Sequence, residues 1–99
     1  MRSWSRVSLI CSLIFFISCS GEQTELHTIN EDAYRANNHG VALLEQFDYQ
    51  GAADSFREAS ALNATLGTAH FNLALALYHA QDFSPAERAV RTSIPLLPS

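Results

Sequence analysis

Shifted by 34 residues, the second half of this chain lies over the first. The shift pairs Asn38 with Asn72, Gly40 with Ala74, Ala42 with Ala76 and Leu43 with Leu77. It also pairs Asp48 with Asp82, Tyr49 with Phe83, Ala52 with Ala86, Phe56 with Val90 and Leu62 with Leu96. Nine matches at one offset in so short a segment are hard to obtain by chance, and self-similarity at a fixed period marks a repeat architecture. The small residues Gly40, Ala74, Ala52 and Ala86 have a mechanical role in it. Helices crossing at close range need little or no side chain at the contact point, and Phe56, Leu43 and Leu77 then fill the space beside it.

The period and these residues resemble the tetratricopeptide repeat from about Ala33 to Pro98. The family pattern W-x2-L-G-x2-Y…A-x3-F…P reads here as Ala36-x2-His39-Gly40-x2-Leu43, then Ala52-x3-Phe56, then Ala64. In the second copy it reads His70-x2-Leu73-Ala74-x2-Leu77, then Ala86-x3-Val90, then Pro98. His39 stands where the family has Leu, Ala36 where it has an aromatic and Ala64 where it has Pro. The resemblance implies an all-α fold of two tandem helix-turn-helix repeats, a short α-solenoid, over 31–66 and 67–99. His39 falls in a slot that the pattern makes core.

Local patterns place four helices. Asn30 is a candidate N-cap with Glu31 and Asp32 in a favourable first turn, opening a helix to about Gln46. A second is expected from about Gly51 to Leu62 and a third from about Thr68 to Ala80. The fourth opens with Ser84-Pro85-Ala86-Glu87, which reads as a capping box with Pro at the first helical position. Pro95 should stop it near Ser93 or Ile94, because proline lacks a backbone donor and clashes with the preceding turn.

The N-terminus has a different character. Arg2 and Arg6 precede an uncharged, largely apolar run from Val7 to Ile17, followed by small polar residues. That order is a secretory signal peptide. Eleven helical residues rise about 16 Å against a hydrocarbon core of roughly 30 Å, too short to span it. Phe16-Ile17-Ser18-Cys19 resembles a bacterial lipobox, with Phe16 in the place of the usual Leu. The resemblance implies a leader over 1–18 and lipidation of Cys19. With Ser20 next it implies outer-membrane anchoring facing the periplasm. Cleavage after Ser20, giving a soluble periplasmic or secreted product, is the rival reading, and a third makes Cys19 merely a buried signal-peptide residue like Cys11. Residues 19–30 are polar and read as a tether. No disulfide or cysteine metal site remains once Cys11 and Cys19 are spent.

Composition removes several function classes. Six arginines, no lysine and ten acidic residues give a net charge of −4, and two of those arginines lie in the leader. A nucleic-acid binder needs a basic face, and none is present. His70 and His79 are nine residues apart, on opposite faces of a helix. His27 and His39 complete the set of four, and no H-x3-H, H-E-x-x-H or paired Cys accompanies them. No metal, cofactor or catalytic role is expected, since nucleophile-elbow, phosphate-loop and dinucleotide motifs are missing too.

The family resemblance implies a concave groove, lined by the first helix of each repeat, that receives another protein or peptide. Carried over by position, it comprises Tyr34, Asn37, Asn38, Val41, Leu44 and Glu45, then Thr68, Phe71, Asn72, Leu75, Tyr78 and His79. The competing reading packs Phe71, Leu75 and Tyr78 between hairpins as core. Where carboxylate-clamping relatives have basic residues, this chain has Asn37, Val41, Thr68 and Asn72, so the implied partner is apolar or amide-rich. The expected function is a lipid-anchored protein-interaction module or scaffold. The alternative is the opening of a larger exported protein, because Asn37 to Tyr49 resembles repeats that precede FG-GAP and ASPIC/UnbV domains. Two repeats alone should be marginally stable and prone to homodimerise.

Overall fold

The structure, a computed structural model, describes residue 25 and residues 27–98. The expected leader over 1–18, Cys19 and most of the expected tether lie outside the described residues. Within them the chain is all-helical: α1 (27–45), α2 (Tyr49–Leu62), α3 (Gly67–His79) and α4 (Phe83–Ser93), closed by a 3-10 turn at Ile94–Leu96. The helices pack as two hairpins, α1 with α2 and α3 with α4, and α3 lies against the first hairpin.

The apolar periodicity explains the layout. Along α1 the buried positions are Ala33, Ala36, Asn37 and Gly40, with Leu43 and Leu44 half-buried, one stripe at helical spacing. On α2 the stripe is Ala52, Ala53, Ser55, Phe56 and Ala59. Alanine dominates the core, so backbones approach closely. Gly40 marks the tightest point: a Cβ there would lie 2.5 Å from Phe56 Cε1. A second core cluster joins Ala36, Ala59 and Ala69, with Leu66 packed on it.

The two hairpin turns are copies of one another. Phe47 and Gln81, 34 residues apart, have φ of 61° and 65°. After each, an aspartate amide reaches back five residues, Asp48 N to Leu43 O and Asp82 N to Leu77 O, both at 2.9 Å. This is a Schellman closure with the left-handed residue at its centre. The same aspartates serve as N-caps of α2 and α4. Each turn is therefore only three residues long, and the repeat is written in backbone geometry as well as in side chains.

That geometry corrects the expected start of the fourth helix. The helix begins at Phe83 with Asp82 as N-cap, and the Ser84 side chain makes no capping bond. Pro85 sits inside the first turn, where a missing N–H breaks no bond within the helix. Its effect falls on Asp82 instead. Asp48 Oδ1 accepts from Gly51 N at 3.0 Å, three residues on. The donor equivalent to Gly51 N belongs to Pro85, which has none, so Asp82 is left without a side-chain cap bond.

Three other expectations change. Asn30 is not a helix cap: the helix already contains 27–30, which the sequence placed in the tether, and Asn30 Oδ1 accepts from Asn63 Nδ2 at 3.1 Å. That bond ties α1 to the α2–α3 connection, where Thr65 also donates twice to Asn63 Oδ1. α2 starts at Tyr49 rather than Gly51 because Asp48 caps it. His39 is exposed, not core. Its counterpart Leu73 packs on the first hairpin, whereas no described element lies beyond α1 on that side.

The stop at Ser93 holds as expected, and Pro95 turns the chain into the 3-10 segment. Ser93 is fully buried, its hydroxyl donating to Val90 O at 2.7 Å. The segment returns over the start of α3: a Cβ on Gly67 would meet the Leu96 backbone at 2.9 Å.

The unequal caps give a direct test. Asp48→Ala should cost about 1 kcal/mol in urea unfolding, as for a side-chain N-cap, and Asp82→Ala only a few tenths. Equal losses would contradict the role assigned to Pro85.

Candidate functional site

α3 is largely apolar around its circumference, the pattern of an enclosed helix, yet the first hairpin and α4 leave one side of it open. Ala69, Asn72, Leu73 and Ala76 face the first hairpin. Phe71, Leu75 and Tyr78, spaced by four and three residues, form a second stripe that stays 45%, 39% and 61% exposed. α4 meets that stripe with Phe83, itself 58% exposed, and with Ala86, Glu87 and Val90. Together these eight residues, Ala74 included, line an open groove of about 450 Å³.

The groove is apolar with an aromatic mouth. Tyr78 and Phe83 meet edge to face, ring centroids 5.6 Å apart at 64°. Tyr78 also makes an edge contact with His79 at 5.9 Å. Glu87 supplies the one charged lining side chain, and Arg91 Nη2 donates to its Oε1 at 2.6 Å from the next turn. Such a concave apolar surface flanked by a few polar groups is the usual form of a docking site. No group of three or more His, Cys, Asp or Glu among the described residues is placed to hold a metal ion. No helix among them is long and apolar enough to cross a membrane.

The twelve residues carried over by position do not form one surface. Phe71, Leu75 and Tyr78 converge in the groove. Asn37 is 7% exposed beneath α3 and accepts a 3.1 Å hydrogen bond from Asn72 Nδ2. Leu44 packs half-buried against the main core cluster. Tyr34, Asn38, Glu45 and Thr68 are exposed and do not line the groove, nor does Val41. His79 is exposed but stacks on Tyr49, centroids 5.1 Å apart and 16° between planes. Thus the second repeat contributes the open stripe, whereas in the first repeat Asn37 lies under α3, Leu44 is half-buried and Val41 stays exposed.

Sequence reasoning missed the α4 wall: Phe83, Ala86, Glu87 and Val90. The 34-residue pairing had already matched three of these with Tyr49, Ala52 and Phe56, which pack in the core or against α3. A residue aligned with a packed position but left at the end of the array was the available clue. No protein-family model, curated protein or solved structure matches this chain.

Core and groove should separate in a stability measurement. Phe56→Ala removes a fully buried ring and should cost about 3–5 kcal/mol, enough to abolish cooperative unfolding in a small domain. Tyr78→Ala should cost under about 1 kcal/mol, as a mostly exposed side chain. A comparable loss for both, followed by circular dichroism, would assign the stripe to the core.

Proposed function

We propose that this chain is an exported, lipid-anchored interaction module of tetratricopeptide-repeat type that binds another protein in the α3–α4 groove. The observation that carries the reading is the groove itself. Four large apolar side chains stand open around a concavity that the chain does not fill. Aromatic anchors at the centre of a docking surface typically dominate affinity, at about 2 kcal/mol or more each when truncated. The recurrence of the Schellman turns at 34-residue spacing supports the repeat assignment. The order of basic residues, apolar run and Ser18-Cys19 supports the anchored location.

Two experiments test the proposal. Intact mass of the exported protein should show residues 1–18 removed and acyl mass added at Cys19; a soluble product beginning at Gly21, unchanged by Cys19→Ser, would overturn the anchor. For binding, Tyr78→Ala should weaken recovery of a periplasmic partner at least ten-fold with helical circular dichroism intact, while Arg88→Ala on the outer face of α4 leaves it unchanged. If Arg88→Ala abolishes recovery and Tyr78→Ala does not, the docking surface lies elsewhere.

A further inference from the structure

The two hairpin turns carry the same pair of residues, an aspartate followed by an aromatic ring: Asp48-Tyr49 and, 34 residues on, Asp82-Phe83. The hairpins lie side by side, so both pairs come to one end of the molecule, and their rings are linked. Phe47 meets Tyr49 edge to face with centroids 6.4 Å apart, and Tyr49 stacks on His79 at 5.1 Å. His79 meets Tyr78 at 5.9 Å, and Tyr78 meets Phe83 at 5.6 Å, both edge to face. The result is an unbroken ladder of rings from the first turn to the second. Only its Tyr78–Phe83 end belongs to the groove; Phe47, Tyr49 and His79 line no part of it. Phe47 is 76% exposed, and Tyr78 and Phe83 are each more than half exposed. Both ends of the ladder therefore offer ring surface to solvent, and the Tyr49–His79 stack holds them apart.

The charge beside these rings has one sign. Glu45, Asp48 and Asp82 are exposed there, and residues 45–50 and 78–84 contain no arginine or lysine. Asp48 gives one oxygen to Gly51 N, and Asp82 makes no capping bond with either of its own. The arginines of the described residues lie elsewhere. Arg35, Arg57 and Arg91 hold carboxylates of their own helices, and Arg88 is exposed on the outer face of α4.

Rings and carboxylates ask for the same ligand. The face of an aromatic ring is negative at its centre and attracts a cation, as a carboxylate does. We propose that this hairpin-turn end binds an arginine-bearing segment of a partner protein, with guanidinium planes on the exposed rings and their N–H groups directed to Asp48 and Asp82. Arginine fits better than lysine, because its planar head stacks on a ring while its edge still donates to a carboxylate. A lipid surface fits poorly, because the phosphate next to any headgroup ammonium would be repelled by three carboxylates. The inference goes beyond the groove reading and does not rest on it, since half of the ladder lies outside the groove.

The test is an NMR titration of the isolated protein at low salt with two capped peptides, (Arg-Gly)3 and (Lys-Gly)3, and with phosphatidylcholine vesicles. The arginine peptide should bind about three-fold tighter than the lysine peptide, the factor of one exposed cation–π contact, with shifts at Phe47, Tyr49, Tyr78 and Phe83. Phe47→Leu keeps an apolar side chain without the ring and should remove that preference; should it lose helicity, Phe83→Leu serves instead. Asp48→Asn with Asp82→Asn keeps good helix caps and should weaken the arginine peptide about five-fold. Glu31→Gln with Glu58→Gln removes the same charge away from the rings and should leave binding nearly unchanged. Equal affinity for the two peptides, equal losses in the two double variants, or no shifts at the rings would overturn the proposal. Vesicle binding with the same ring shifts would assign the ladder to a lipid surface and overturn it too. Partner recovery that depends on Tyr78 but not on Phe47 or the two aspartates would leave the groove reading standing and this one refuted.

Discussion

Everything in this fold depends on how closely α1 can approach α2. The Phe56 ring lies where a Cβ at position 40 would be, so only glycine lets the two backbones come together over it. That contact sets the depth of the first hairpin and leaves Leu43 and Leu44 half-buried around it. It also creates the surface that receives α3. With Ala76 and Leu77 then packed against Ala52 and Phe56, the second hairpin inherits its position from the first. The core contains few large side chains, Phe56 and Leu77 being the largest fully buried apolar ones. Stability therefore comes from close alanine contacts, where dispersion falls off steeply with any gap.

Polar groups were placed to serve this close packing. Asn37 and Asn72 satisfy each other between α1 and α3, and Asn63 joins α1 to the loop between the hairpins. Among the described residues no buried side-chain nitrogen or oxygen lacks a partner. The ion pairs among the described residues, by contrast, are exposed: Arg35 with Asp32 and Glu31, His27 with Glu31, Arg57 with Asp54, Arg91 with Glu87. Each spans one helical turn and adds a few tenths of a kcal/mol at most. They solvate the outer faces and do not choose the fold.

Helix number, the stop at Pro95 and the period were legible because each follows from a local rule: apolar spacing, proline's missing donor, and self-similarity. The turns were only half legible. Phe47 and Gln81 adopt positive φ with none of the glycine that usually announces it, where the Schellman bonds to Leu43 and Leu77 close each turn. Ser84-Pro85-Ala86-Glu87 imitated a helix start, yet Asp82 had already been delivered to the cap by the turn. His39 was misread because a repeat pattern gives every copy the same slots, while the first copy has no described neighbour to bury its outer face. The groove suffered the reverse error. Its α3 stripe was visible, but half of it is built by α4, and helical periodicity within one element says nothing about which wall a second element supplies.

Pro85 has one more effect. Phe83, on the groove's rim, is the first residue of α4, and the cap behind it lacks the side-chain bond that fastens the corresponding end of α2. The first turn of α4 is thus held by one side-chain bond fewer than the first turn of α2, and local opening begins where anchoring bonds are fewest. The Phe83 ring on that turn is 58% exposed, while Ala74 and Ala86 below it are buried. A guest bound there as proposed would meet one side of the mouth that is less firmly fastened than the floor, apart from the packing that holds the two hairpins together.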